Sequence, residues 1–122
     1  MPPGKEPHIL LVEDELIVAK DQAGRLEREG FEVVVASSGR EAVEIALREQ
    51  LDLVLMDIRL GGGFDGIEAA EEILRKKELP VVFLTAYADP RTLAEVSRVT
   101  PYGYILKNSG IHLLLQAIRM AL

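Results

Sequence analysis

The chain of 122 residues contains no cysteine. That excludes a disulfide framework and any thiolate metal centre, and it fits a reducing, cytoplasmic setting. It has no apolar run near the roughly 20 residues that a bilayer-spanning helix needs, so no transmembrane segment is expected. Clusters of Lys and Arg are also lacking. The one basic run is Arg75-Lys76-Lys77, against a formal net charge of −6. Binding to a phosphate backbone depends on such clusters, so direct nucleic-acid binding is not expected. The triplet reads instead as the last turn of a helix, where cations complement the macrodipole. No internal repeat or low-complexity segment occurs, and the length suits one domain around one core. Residues 1–7, rich in Pro and Gly, read as a disordered lead-in, with the folded domain running from 8 to 122.

Apolar runs of strand length alternate with stretches of helical period. His8-Ile9-Leu10-Leu11-Val12 is a buried strand by composition. Asp14 can cap the helix that follows, in which Leu16, Ala19, Ala23 and Leu26 recur on one face until Gly30 stops it. Phe31 to Ala36 is β-branched and strand-like. Ser38 and Glu41 have the spacing of a capping box and open a helix to about Glu49. Leu51 to Met56 forms a third strand ending at Asp57. Gly61-Gly62-Gly63 is a loop, and Asp65 starts a helix with Ile67, Ala70, Ile73 and Leu74 on one face. Val81 to Leu84 is a fourth strand. Asp89-Pro90 has the form of an N-cap followed by Pro at the first helical position. Tyr102 to Leu106 is a fifth strand, and Asn108 or Ser109 can cap a last helix. Five βα units with near-continuous apolar strands predict an α/β fold, a doubly wound parallel sheet covered on both faces. In such folds the ligand site lies at the carboxyl ends of the strands.

Four of those ends carry reactive groups. Glu13 and Asp14 follow the first strand, Asp57 ends the third, Thr85 follows the fourth and Lys107 the fifth. Taken singly, each has an ordinary alternative: a cap for Asp14, a turn residue for Thr85. Taken together they place three carboxylates on one edge, and clustered carboxylates repel unless a cation intervenes. A hard divalent ion with oxygen ligands suits that need, and Mg²⁺ is commonly held by one or two carboxylates plus water.

The pair Glu13-Asp14, Asp57 after its Leu/Val run, Asp65-Gly66 opening a helix, Thr85-Ala86 and Lys107 together resemble the receiver domain of two-component response regulators, along the chain from His8 to the end. The resemblance implies a flavodoxin-like sheet of strand order 2-1-3-4-5 with five helices. It implies Asp57 as phosphoacceptor, taking a phosphoryl group from a histidine kinase or phosphotransfer domain. Glu13, Asp14, Asp57 and the backbone carbonyl of Arg59 would hold Mg²⁺ or Mn²⁺. Lys107 and Thr85 would contact phosphoryl oxygens, Ala86 would leave them room, and Thr85 with Tyr104 would form the switch. The implied activity is signalling, limited to the domain's own phosphorylation and dephosphorylation, not turnover of a separate substrate. Bulky Arg59 and Tyr87 would flank the path of the hydrolytic water and prolong the phosphorylated state. His8 and His112 are read as surface residues.

The chain departs from the family pattern in three places. Glu13 stands where Asp is commoner. The loop after Asp57 has three glycines, lacks a Pro and is one residue longer. Asn108 replaces the Pro that usually follows the lysine, so a trans Lys107–Asn108 peptide is expected. Three alternative readings fit the residues less well. A haloacid-dehalogenase-like phosphatase needs a second Asp where Arg59 stands. A pseudo-receiver interaction module is disfavoured by retention of Asp14, Asp57, Thr85 and Lys107. A nucleotide binder needs a phosphate-cradling Gly-rich turn after the first strand, which is missing. In the last helix, His112, Gln116 and Arg119 form a single polar stripe. Some of Leu113, Leu114, Ala117 and Met120 are therefore expected to face outward and to serve homodimerisation or a neighbouring domain.

Overall fold

A computed structural model describes residues 6–60, 64–85, 90–97, 103–106 and 110–122, with 103–106 described by backbone alone. Five strands, β1 (His8–Val12), β2 (Glu32–Ala36), β3 (Leu53–Asp57), β4 (Val81–Thr85) and β5 (Gly103–Leu106), alternate with five helices. These are α1 (Leu16–Arg28), α2 (Gly39–Arg48), α3 (Gly66–Lys76), α4 (Pro90–Ser97) and α5 (Ile111–Ala121). The strands form one sheet of order β2-β1-β3-β4-β5, and every pairing is parallel. The expected α/β fold and strand order are therefore those of the molecule.

Strand alternation builds the two halves of the core. Leu10, Val12, Val54, Met56, Val81 and Phe83 turn to one face, against Ala42, Ile45 and Ala46 of α2 and Ile67, Ala70 and Ile73 of α3. Ile9, Leu11, Leu53, Leu55, Val82 and Leu84 turn to the other, against Leu26 of α1 and Leu114, Leu115 and Ile118 of α5. Covering both faces is what permits strands whose polar residues are confined to their ends. β3 and β4 are buried throughout.

Helix ends follow local chemistry, with some revisions. The carboxylate of Asp65 accepts from the Glu68 N–H, and that of Glu68 accepts from the Asp65 N–H, a complete capping box. At α2 only half of the expected box forms: Ser38 Oγ accepts from the Glu41 N–H, but Glu41 Oε1 takes the N–H of Ser37 at 2.7 Å. Asp14 does not cap α1, because the helix begins one residue later than expected and its N-cap is Glu15, with no side-chain bond. Leu16, expected on the inner face of α1, is 65% exposed, while Ala19 and Leu26 are buried. Gly30 ends α1 with φ +96, a backbone region that disfavours residues bearing a Cβ. The N-cap of α5 is Gly110, not Asn108 or Ser109. Arg75 and Lys76 do fall in the last turn of α3, and Lys77 Nζ donates to the carbonyl of Glu49 just beyond α2 at 3.0 Å. Asp89, the triple-glycine loop and the Lys107–Asn108 peptide lie outside the described residues. No helix among the described residues is long and apolar enough to cross a membrane.

Candidate functional site

Sheet register assembles the site. Val12 lies beside Met56, so Glu13 and Asp57, the next residues on each strand, leave the sheet side by side. Asp57 in turn lies beside Leu84, and the Ile58 N–H continues the ladder to the Leu84 carbonyl at 3.1 Å. One ligand oxygen from each of Glu13, Asp14 and Asp57 can be chosen so that all lie within 4.8 Å of one another. Among the described residues this is the one group of three or more His, Cys, Asp or Glu side chains with metal-binding proximity.

The three carboxylates differ in setting. Glu13 is 1% exposed and Asp57 3%, whereas Asp14 is exposed. The Glu13 N–H donates to the Ala36 carbonyl of β2, and its Oε2 accepts from the Glu15 N–H at 3.1 Å. Glu13 thus orients its carboxylate with an amide at the start of α1. Asp57 Oδ1 accepts from the Arg59 N–H at 3.3 Å. Buried anions gathered so closely demand a counter-charge. All the donors are hard oxygens, the set that Mg²⁺ or Mn²⁺ prefers. The residues present therefore fit such an ion.

Two further features were not read from sequence. Gly66, the first residue of α3, is buried directly against Asp57: a β-carbon on it would meet the Asp57 carbonyl oxygen, backbone carbon and the Met56 side chain. The signal available was a glycine at a helix start, where nearly any other residue forms helix better. The second is Arg59, whose Nη2 donates to Thr92 Oγ1 of α4 at 3.1 Å. No local pattern announces a bond between residues 33 apart.

Thr85 ends β4 with 3% exposure and pairs in register with Leu106, the residue before Lys107. Tyr104 lies in β5 beside Phe83, and its side chain is outside the description. Ala86, Tyr87 and Lys107 are outside it altogether. His8 and His112 are both exposed, and His8 Nε2 pairs with Glu32 Oε2 at 2.6 Å.

Residues 9–119 match the family model described as the response regulator receiver domain. The chain belongs to that family. It is a receiver domain of two-component signal transduction, and receivers are signalling modules that bind Mg²⁺ in an acidic site. The transcriptional regulatory protein PdtaR of Mycobacterium tuberculosis is 41% identical over 115 residues, which cover 93% of this receiver and 55% of that protein. The chain thus spans about half the length of this relative. The N-terminal domain of a response regulator/sensory box/GGDEF three-domain protein from Carboxydothermus hydrogenoformans is 42% identical, with a TM-score of 0.86, covering 93% of this chain and 92% of that one. The response regulator TrrA of Thermotoga maritima, solved in complex with Mg²⁺-BeF, is 31% identical, with a TM-score of 0.85, over 95% of this chain and 99% of that one.

Proposed function

We propose that Asp57 is the phosphoacceptor of this receiver, and that Glu13, Asp14, Asp57 and the backbone carbonyl of Arg59 hold the Mg²⁺ or Mn²⁺ that its chemistry requires. The observation that carries this reading is the convergence of the three carboxylates on one sheet edge. A histidine kinase or phosphotransfer domain supplies the phosphoryl group. A carboxylate oxygen of Asp57 attacks phosphorus, and an O–P bond forms as the N–P bond to the donor imidazole breaks. The electron pair stays on the imidazole nitrogen. The product is an acyl phosphate, formed by carboxylate nucleophilic catalysis. When bound, the ion supplies charge neutralisation at the phosphoryl oxygens.

The remaining residues are assigned by family membership and position. Thr85, buried at the end of β4, donates its hydroxyl to a phosphoryl oxygen. Lys107, one residue past the register partner of Thr85, contributes an ammonium to another. Ala86 leaves room for the group. Thr85 and Tyr104, on adjacent strands, form the switch. The receiver unit is 8–122, it works in the cytoplasm, and it does not itself bind nucleic acid.

Intact-mass analysis after incubation with acetyl phosphate and Mg²⁺ tests the assignment. The wild-type chain should gain one phosphoryl group, Asp57→Asn should gain none, and chelation should nearly abolish labelling. Labelling of Asp57→Asn at the wild-type rate overturns the assignment. Continuous consumption of the donor would point to a phosphatase, and an inert wild-type chain to a pseudo-receiver.

A further inference from the structure

Arg59 touches two parts of the molecule at once. Its backbone N–H donates to the carboxylate of Asp57 at 3.3 Å, and its guanidinium donates to Thr92 Oγ1 at 3.1 Å. Thr92 is 1% exposed while Arg59 is exposed, so the bond is part-buried, with its acceptor end shielded from water. It is one of the contacts that hold α4. This helix has eight residues, and Thr92 and Val96 are the two that it buries. A helix so short has little stability of its own and depends on its tertiary attachments. Arg59 therefore attaches the segment after the acceptor strand to one of the most weakly anchored helices described.

We propose that Arg59 is a latch between the acceptor and α4: its guanidinium holds Thr92 while Asp57 is unmodified and transfers to the phosphoryl oxygens when Asp57 carries them, releasing the helix. The inference rests on the assignment of Asp57 as phosphoacceptor. A hydroxyl is a neutral, single acceptor. A phosphoryl group offers several charged oxygens, and charge-assisted bonds to a guanidinium are about twice as strong as neutral ones, often bidentate. The backbone of Arg59 already adjoins the Asp57 carboxylate, which places the root of its side chain beside the group that would be modified. A modification shifts a conformational equilibrium only through interactions that differ between the two states. Here the guanidinium–phosphoryl contact is available only when the latch is open, and the Thr92 contact only when it is closed. The Arg59 side chain is thus a positioning group for α4, distinct from the carboxylates and the Arg59 backbone carbonyl that hold the ion.

Hydrogen exchange of residues 90–97 tests the latch on the wild-type chain and on Arg59→Ala, Thr92→Val and Thr92→Ser. Each is measured with Mg²⁺, with and without beryllofluoride as the phosphoryl mimic. Wild-type exchange in α4 should rise about fivefold on addition of the mimic, the scale of one lost hydrogen bond. Arg59→Ala and Thr92→Val should exchange at the faster rate without the mimic and change by no more than about twofold with it. Thr92→Ser, which restores the hydroxyl, should behave as wild type; a merely structural role for the Thr92 methyl would not produce that rescue. A full response to the mimic in both Arg59→Ala and Thr92→Val overturns the latch. Acetyl phosphate labelling of the same preparations separates the two readings. Labelling at Asp57 with no dependence of α4 on Arg59 removes the latch alone. Absence of labelling in the wild type removes the acceptor assignment and the latch with it.

Discussion

A β-carbon placed on Gly66 would overlap the backbone carbonyl oxygen of Asp57. The first turn of α3 is therefore pressed against the end of the acceptor strand, and the Gly66 N–H donates to the Ile58 carbonyl at 3.0 Å. Neither backbone can yield without moving a central strand or a capped helix. Gly66→Ala should destabilise the domain by about 3 kcal/mol, the upper range for overpacking a filled core. It should also slow labelling of Asp57. Urea denaturation measures the first effect and intact mass the second. A loss under about 0.5 kcal/mol, the size of an ordinary surface substitution, would contradict this account.

The acidic cluster gives opposite expectations for Asp14→Asn with and without the ion. Removing one of three adjacent negative charges should leave the metal-free protein equally stable or more so, by up to about 1 kcal/mol, since Asp14 is exposed and solvent screens its interactions. The same change should weaken Mg²⁺ binding by at least about tenfold, judged against the losses known for lesser changes around metal sites. Saturating Mg²⁺ should therefore raise the unfolding midpoint of the wild type more than that of the variant. Thermal unfolding in chelator and in excess Mg²⁺ measures both signs. Equal Mg²⁺ stabilisation of the two proteins would remove Asp14 from the ligand set.

The last helix carries its own expectation. Leu113, Met120 and Leu122 are exposed, Met120 at 83%, while Leu114 is buried and Ala117 half-buried. The outward apolar set is thus Leu113 and Met120 with the terminal Leu122, narrower than the four residues considered from the pattern. We expect the chain to self-associate through this face when Asp57 carries the phosphoryl mimic, and Met120→Glu to abolish the association. Light scattering at high concentration measures it; a monomer with and without the mimic overturns it.

Much of the molecule was legible because a strand's apolar run and its last residue are local facts. Runs such as Ile9 to Val12 and Leu53 to Met56 marked a parallel sheet covered on both faces, and reactive side chains at strand ends followed from that fold. The misreadings arose where tertiary geometry chose between two acceptable local options. Leu16 fits the helical stripe of α1, yet the helix begins at Leu16, and Leu16 and Ile17 in its first turn are both exposed. Asp14 has the chemistry of a cap, but Glu15 occupies that place and Asp14 joins the carboxylate cluster. The role of Gly66 depends on how closely a helix approaches a strand, and the Arg59–Thr92 bond on where α4 lies. Neither distance is encoded in a window of neighbouring residues.

β3 is buried along its whole length and flanked by paired strands on both sides, whereas α4 buries two side chains. Sheet centres are the last parts of a protein to open, and sparsely anchored helices are among the first. With Asp57 as the proposed acceptor and Arg59 as the proposed latch, a message is written where the molecule is hard to deform and read at a helix with few anchors. A covalent mark worth a few hydrogen bonds is far too small to rebuild the sheet and large enough to redistribute the conformers of one short helix. The rigid part keeps the writing position constant from one cycle to the next, and all the responsiveness of the domain can then reside in segments that cost little to move.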